Sequence, residues 1–282
     1  MTKPDPRLHA YRPDIADVRL RDRVDSARFV EGRRLQVMQP IIAVHKTPAR
    51  DSIQLTQALL GETLMCFEVR EGWAFVQLDA DNYVGYVSSN ALTASIQLTT
   101  HRVAVPSTLR YSAPNLKSQP VNFIPMNASV SVEADEGRFS RLQDGHYIWS
   151  GHLRSLGTHA PDYVAVAEQF LQAPYYWGGK SIWGLDCSGL VQVALDASGI
   201  ASQRDSDMQE QTLGTSLPVE QLGDLRRGDL VFWNGHVGIL TDSQTLLHAN
   251  GHHMLVVKEP LDDAIKRIAN SYGRVTAIKR LQ

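Results

Sequence analysis

A cysteine at the start of an amphipathic segment is the strongest candidate for a reactive residue. Cys187 follows Asp186, and apolar residues recur after it at helical spacing as far as Ala197. Asp186 suits the N-cap of such a helix, and Gly199 suits its C-terminal stop. Unpaired N–H groups and the helix dipole favour a thiolate in the first turn. We therefore interpret Cys187 as a nucleophile, while a small apolar core residue is the alternative.

Two histidines downstream can supply the base and the orienting group that a nucleophilic cysteine needs. His236 begins the second strand of a hairpin predicted around Asn234-Gly235, and His248 lies in the next predicted strand. If these strands pair, the two imidazoles lie side by side. We expect Cys187 to attack, His236 to act as general base and then acid, and His248 to orient His236.

A zinc site built from the same cysteine and two histidines is a rival interpretation. The three residues come from separate predicted elements and lack the close-spaced ligand pairs of most zinc modules. We therefore expect neither a metal nor another cofactor.

Composition and charge limit the possible partners. The 282 residues carry a formal net charge of −2 at pH 7, so no large field of one sign favours nucleic acid or a membrane surface. Two cysteines far apart in sequence, Cys66 and Cys187, favour free thiols in a reducing compartment. The N-terminus lacks the apolar core of a secretory signal, and no apolar run could span a bilayer. We expect a cytoplasmic protein.

The elements that must position the reactive residues fall into four predicted segments. Residues 1–35 are charged and interrupted by prolines, and we expect them to pack on the following domain. Residues 36–97 and 98–155 form a weak internal repeat of short alternating segments, which predicts two small β-barrels. Residues 156–282 place helices before a hairpin and further strands, a pattern typical of an α+β domain.

The spaced motifs of the last segment resemble those of the NlpC-type, papain-like cell-wall cysteine peptidases. The matching segments are Tyr175-x-Trp177-Gly-Gly, Asp186-Cys187-Ser188-Gly189, Arg204-Asp205-Ser206, Gly228-Asp-Leu-Val-Phe-Trp233, His236-Val-Gly-Ile239 and His248-Ala249. The two preceding repeats look like bacterial SH3-like barrels, although Arg138 replaces Trp73 in the second. The resemblance implies a multidomain fold, with two small all-β SH3-like barrels followed by an α+β papain-like catalytic domain.

The resemblance also implies an activity and its catalytic residues. It implies a hydrolase, a thiol protease that cleaves the bond between γ-D-glutamate and a diamino acid in peptidoglycan stem peptides. Catalysis maps onto Cys187, His236 and His248. Tyr175 matches the residue whose hydroxyl lines the oxyanion hole with the Cys187 N–H, a role suited to a donor fixed by packing.

Substrate-binding residues follow from the same resemblance. Those matching the region that holds γ-D-glutamate are Ser188, Ser206 and Asp205, while Trp177 lies in a glycine-rich loop and can stack on substrate. Recycling members bind the free N-terminal L-alanine of L-Ala-γ-D-Glu-diamino acid peptides. For its ammonium group Asp186 matches one position, Tyr83 resembles the barrel residue that reaches over, and Asp51 is the predicted barrel acid.

Three alternatives to a cytoplasmic recycling peptidase stay open. The first is an exported lysin that acts on polymeric peptidoglycan. The second is a binding protein in which the barrels hold a wall peptide and the papain-like domain is inert. The third is an acyltransferase or deamidase on the same cysteine–histidine scaffold.

Overall fold

The computed structural model describes residues 3–219 and 224–281. The chain divides into two compact units, Met1–Leu156 and Gly157–Gln282. Within the described ranges, no helix is long and apolar enough to cross a membrane.

The first unit begins with a segment that packs on the strands after it. Strand β1 (Ala16–Asp17) pairs in parallel with β2 (Phe29–Val30), and a 3-10 helix, Val18–Leu20, follows β1. The apolar residues that join this segment to the next strands form one buried cluster, made of Ala10, Ile15, Phe67, Phe75 and Val84. Burial of these side chains fixes the segment, because each removes apolar surface from water.

A seven-stranded antiparallel sheet follows, in the order β5-β4-β8-β7-β6-β3-β9. Its strands are β3 (Arg33–Val37), β4 (Ile41–His45), β5 (Gln54–Leu59), β6 (Thr63–Arg70), β7 (Trp73–Leu78), β8 (Val84–Ser88) and β9 (Leu92–Thr93). A 3-10 helix, Ser89–Ala91, separates β8 from β9. Cys66 lies buried in β6 as a free thiol.

The rest of the first unit repeats this pairing. Its strands are β10 (His101–Val103), β11 (Ser107–Tyr111), β12 (Pro120–Pro125), β13 (Ser129–Val130), β14 (Val132–Glu136), β15 (Phe139–Leu142), β16 (Tyr147–Trp149) and β17 (Leu153–Ser155), with a 3-10 helix at Ser150–His152. In both regions a hairpin precedes a three-stranded meander, whose last strand returns to the first strand of the hairpin. The two regions share a core, since Leu59 of β5 packs with Val103 and Ile124.

The second unit combines helices with a six-stranded antiparallel sheet, in the order β20-β25-β21-β22-β23-β24. Its sheet strands are β20 (Thr215–Leu217), β21 (Leu230–Trp233), β22 (His236–Leu240), β23 (Thr245–Asn250), β24 (Leu255–Pro260) and β25 (Ala277–Arg280). The helices are α1 (Tyr163–Glu168), α2 (Cys187–Ala197), α3 (Ser206–Thr212) and α4 (Leu261–Tyr272). A small ribbon, β18 (Lys180–Ser181) with β19 (Gly184–Leu185), precedes α2.

Helices pack on the sheet at the strands that carry the histidines. Helix α2 is buried over Cys187–Leu195 and packs against β22 and β23. The apolar side of α4 joins the sheet in a buried cluster that includes Trp233, Leu246 and Ile268. Side chains alternate along a strand, so His248 lies on the same face as Leu246, the face that α4 covers.

Candidate active site

The cysteine helix has the geometry that the sequence predicts. Helix α2 begins at Cys187, and the Asp186 carboxylate accepts the Gly189 N–H at 2.7 Å, a capping bond that satisfies one of the helix's free donors. Gly199 follows the last turn with φ of 75°, a conformation that favours glycine. The predicted cap, start and stop of the helix are thus confirmed.

The thiol of Cys187 is neutral in the resting site, contrary to the expectation of a thiolate. Burial raises the pKa of the Cys187 thiol to about 12, and the negative charge of Asp186 adds to the effect. The N–H groups of Val237 and Ser188 and the charge of Arg204 act in the opposite direction but are outweighed. The prediction is wrong because it weighed the helix terminus without the loss of water around the sulfur. Reaction therefore requires a base beside the thiol.

The two histidines meet as predicted. Strands β21 and β22 are joined through Asn234-Gly235, where Gly235 has φ of 78°, and β22 pairs with β23. His236 Nε2 lies 2.7 Å from His248 Nδ1, and both rings are buried. Burial, followed by the nearby His248 and Arg267, lowers the pKa of His236 to about 3. His236 is therefore a neutral imidazole at neutral pH, with one ring nitrogen able to accept a proton.

This ring-to-ring hydrogen bond also bears on the zinc interpretation. A shared metal would need one nitrogen of each ring directed at a common point. His236 Nε2 and His248 Nδ1 are instead directed at each other. The arrangement matches a base and its orienting partner better than a pair of metal ligands.

Tyr175 is held beside the cysteine by backbone contacts. It forms a bridge with Leu185, two residues before Cys187, and its N–H donates to the carbonyl of Met254 at 2.8 Å. Burial, together with the neighbouring Cys187 and Asp186, raises the pKa of the Tyr175 hydroxyl far above its usual value. The hydroxyl thus keeps its proton and can donate a hydrogen bond to developing negative charge.

A buried ion pair supports the start of α2. Asp186 Oδ2 accepts bonds from Arg204 Nη2 and the Gly178 N–H, each at 2.7 Å. Arg204 Nη1 also donates to Ser188 Oγ at 2.9 Å. Arg204 is 1% exposed, so the pair is shielded from water. Both carboxylate oxygens of Asp186 are therefore already engaged in positioning α2, which leaves its predicted contact with a substrate amine as a second demand on the same group.

The other predicted substrate residues divide between the two units. In the second unit Ser206 opens α3 next to Asp205, and Gln209 of α3 donates to the Ser188 carbonyl at 3.0 Å. Trp177 is 62% exposed. In the first unit Tyr83 is buried. Asp51, also in the first unit, is exposed. Their roles remain predictions.

Three residues of the second unit were not predicted to belong to the site. Glu259 Oε1 lies 2.6 Å from His248 Nε2 and also binds Arg267 of α4. Tyr272 stacks on His236 with ring centroids 6.2 Å apart. The strand register contained a signal for Glu259: His248 pairs with Val257, and the side chain two residues further lies on the same face.

The arrangement can perform acyl transfer. We expect His236 to take the thiol proton as the sulfur of Cys187 attacks a carbonyl carbon, with the oxyanion near the Tyr175 hydroxyl and the Cys187 N–H. His236 then gives its proton to the leaving amine, which departs as the thioester forms. Water, deprotonated by His236, hydrolyses the thioester and restores the thiol.

A helix-borne cysteine, a histidine pair on adjacent antiparallel strands and a tyrosine donor define the site of a cysteine peptidase. The family model for NlpC/P60 matches residues 172–273, and the model for the bacterial dipeptidyl-peptidase SH3 domain matches residues 44–92. The chain therefore contains an NlpC/P60 domain, of the cysteine peptidase class, in its second unit and a bacterial dipeptidyl-peptidase SH3 domain in its first unit.

Two curated proteins and one solved structure are similar to the chain. Dipeptidyl-peptidase 6 of Lysinibacillus sphaericus is 29% identical over 138 residues, which cover 48% of this chain and 49% of that protein. Gamma-D-glutamyl-L-lysine dipeptidyl-peptidase of Bacillus subtilis is 25% identical over 221 residues, covering 71% and 73%. The crystal structure of an NlpC/P60 family protein from Bacillus cereus aligns with a TM-score of 0.72 at 19% identity, covering 88% of this chain and 99% of that one. The chain thus spans about half to three quarters of these curated relatives.

Proposed function

We propose that the protein hydrolyses the γ-D-glutamyl bond to a diamino acid in peptidoglycan stem peptides that carry a free N-terminal L-alanine. The observation that carries this proposal is the Cys187–His236–His248 arrangement with a Tyr175 donor. It is accompanied by similarity to proteins named for γ-D-glutamyl-L-lysine dipeptidyl-peptidase activity. Cleavage after the second residue would release the dipeptide L-Ala-γ-D-Glu.

The buried polar groups around the start of α2 support an acidic substrate residue. Ser188, which follows the nucleophile, and Ser206, at the start of α3, carry buried hydroxyl groups, and Arg204 donates to both Ser188 and Asp186. A free α-carboxylate of γ-D-glutamate would find hydroxyl donors here, and Arg204 would balance the negative charge of Asp186. Desolvated donors of this kind bind carboxylates strongly.

We further propose that the specificity for a free amine comes from the first unit. From the resemblance we propose that Asp186, Tyr83 and Asp51 each contribute to recognition of the ammonium group. The residues 98–155 would form a second SH3-like barrel, in keeping with strand pairing that repeats that of the first. A free alanine amine occurs on peptides released from the glycan, so we propose a cytoplasmic role in cell-wall recycling.

A second candidate function is an endopeptidase that acts on polymeric peptidoglycan. It is favoured by a different observation, a 36% identity over 109 residues to a probable endopeptidase of Mycobacterium tuberculosis. That match covers 36% of this chain and 27% of the relative. Stem peptides in the polymer have their alanine amine blocked by the lactyl group of muramic acid, so the two functions differ in the substrate terminus that they require.

The test compares L-Ala-γ-D-Glu-L-Lys and the diaminopimelate peptide with the same peptides acetylated at the alanine amine. We expect kcat/KM to be at least about 100-fold higher for the free amine, the size of a lost charged contact. Equal rates would overturn the recycling proposal and favour the endopeptidase. Tyr83→Phe and Asp51→Asn should reduce this preference without slowing the acetylated peptides, whereas Glu133→Gln, an exposed acid elsewhere in the first unit, should not.

A further inference from the structure

We propose that Glu259 is a positioning residue that acts through His248 to set which nitrogen of His236 carries the proton. This inference rests on the proposed function only in taking Cys187 as the nucleophile. The residues that carry it form a continuous chain, in which Arg267 binds Glu259, Glu259 binds His248, and His248 binds His236.

The direction of each hydrogen bond follows from the charge on Glu259. Burial opposes ionisation of this carboxyl, but the bond from His248 and the charge of Arg267 outweigh it and lower the pKa of Glu259 to about 2. An ionised carboxylate can only accept. His248 Nε2 must therefore carry the hydrogen, which leaves His248 Nδ1 as an acceptor.

The consequence reaches the nucleophile. Because His248 Nδ1 accepts, His236 Nε2 must donate to it across the 2.7 Å contact. His236 Nδ1 is then unprotonated and is the nitrogen left to take the thiol proton of Cys187. The opposite tautomer would direct an N–H at the sulfur, and His236 could not act as a base.

Asn250 competes with Glu259 for the Nε2 atom of His248, and the two residues favour different tautomers of His248. Asn250 Oδ1 accepts the His253 N–H at 2.8 Å, which turns Asn250 Nδ2 toward His248 Nε2 at 2.9 Å. An amide donor at this position favours an unprotonated Nε2, which is the wrong tautomer. Glu259 prevails because it is charged and closer, at 2.6 Å.

The charged and titratable groups around His248 are consistent with this assignment. Burial lowers the pKa of His248, the carboxylate of Glu259 raises it in part, and Arg267 and His253 lower it again. His248 thus stays neutral at physiological pH, with one ring hydrogen whose place is decided by its neighbours.

The test uses the full-length protein and three variants that change the hydrogen-bond partners of His248. Glu259→Leu removes the acceptor and should lower kcat by about 10- to 100-fold with KM unchanged, because the base is lost for most molecules. Glu259→Gln keeps an oxygen that can accept from both His248 and Arg267, and should retain most of the activity. Glu259→Leu combined with Asn250→Asp supplies a new carboxylate at His248 Nε2 and should restore the rate.

The matched control is Glu168→Leu. Glu168 is a partly buried carboxylate of the second unit that binds Arg227 and Lys258 and does not contact the histidines. This variant should lose stability without losing kcat. A loss of kcat in Glu168→Leu equal to that in Glu259→Leu would overturn the proposal, because general destabilisation would then explain both.

Two measurements keep the proposal separate from the choice of substrate and from folding. Alkylation of Cys187 by iodoacetamide, followed by mass spectrometry, should slow in Glu259→Leu and recover in the double variant even if no stem peptide is cleaved. Long-range 1H–15N NMR of the native protein should show His236 protonated at Nε2 and not at Nδ1. Protonation of Nδ1, or alkylation of Glu259→Leu at the native rate, would overturn the proposal.

Discussion

Replacement of Arg204 by methionine should destabilise the second unit and slow the nucleophile together. Arg204 is the cationic partner of Asp186 in a pair that is almost fully buried, with side-chain exposures of 1% and 8%. The substitution keeps an unbranched apolar side chain but removes the guanidinium group and both its bonds, to Asp186 Oδ2 and to Ser188 Oγ. The carboxylate of Asp186 then stays buried beside Cys187 without a counter-charge.

The magnitude follows from what Asp186 retains. Its backbone donors, Gly178 and Gly189, still bind one oxygen each. Breaking a buried pair by removing one partner costs about 3–5 kcal/mol, and these two bonds place the expected loss near the lower limit. The same change should raise the pKa of the Cys187 thiol further, because Arg204 lowers it and Asp186 raises it.

Urea unfolding measures the loss of stability and should be carried out on the native protein, Arg204→Met, Asp186→Asn and the double variant. The double variant should lose at least about 2 kcal/mol less than the sum of the single losses, because it removes both charges. Iodoacetamide labelling reports the change in the pKa of the Cys187 thiol, and it should be slower in Arg204→Met. Additive losses, or a loss below about 1 kcal/mol in Arg204→Met, would refute the buried-pair account.

Three other predictions concern the site and its surroundings. Tyr175→Phe should lower kcat by about 100-fold with little change in KM, and unchanged kcat would remove Tyr175 from the oxyanion hole. Gly189→Ala should abolish activity or folding, because its Cβ would lie 2.2 Å from the Gly179 carbonyl oxygen, whereas Gly251→Ala meets nothing within 4 Å and should be tolerated. Stability should fall by about 2 kcal/mol between pH 6.5 and pH 4.5, because the unfolded chain binds a proton at His236 that the buried side chain, with a folded pKa of about 3, does not bind. Equal urea midpoints at the two pH values would contradict this last expectation.

Local signals were sufficient to predict the framework of the site. Asp186 and Gly199 mark the ends of α2 through the cap and the left-handed glycine that helix ends require. Asn234-Gly235 places His236 at the start of β22, because a two-residue turn fixes the register of a hairpin. Helix ends and tight turns can be predicted in this way because they depend only on residues close together in the sequence.

Two features of the site were not predicted, each for a physical reason. The segment 202–215 is rich in polar residues, yet the structure contains α3 in this segment, and Gln209 of α3 donates to the Ser188 carbonyl. From the sequence alone, polar residues that hydrogen-bond to a neighbouring element cannot be distinguished from the solvent-exposed residues of a loop. Similarly, the pKa of Cys187 depends on burial by the whole unit, and no local pattern reports the amount of water that folding removes.

Product analysis tests most directly whether Cys187 cleaves the γ-D-glutamyl bond. Mass spectrometry should follow L-Ala-γ-D-Glu-L-Lys incubated with the native protein and with Cys187→Ala. We expect L-Ala-γ-D-Glu and free lysine from the native protein and no products from the variant. Cleavage at the L-Ala–D-Glu bond, or hydrolysis that persists in Cys187→Ala, would contradict this expectation.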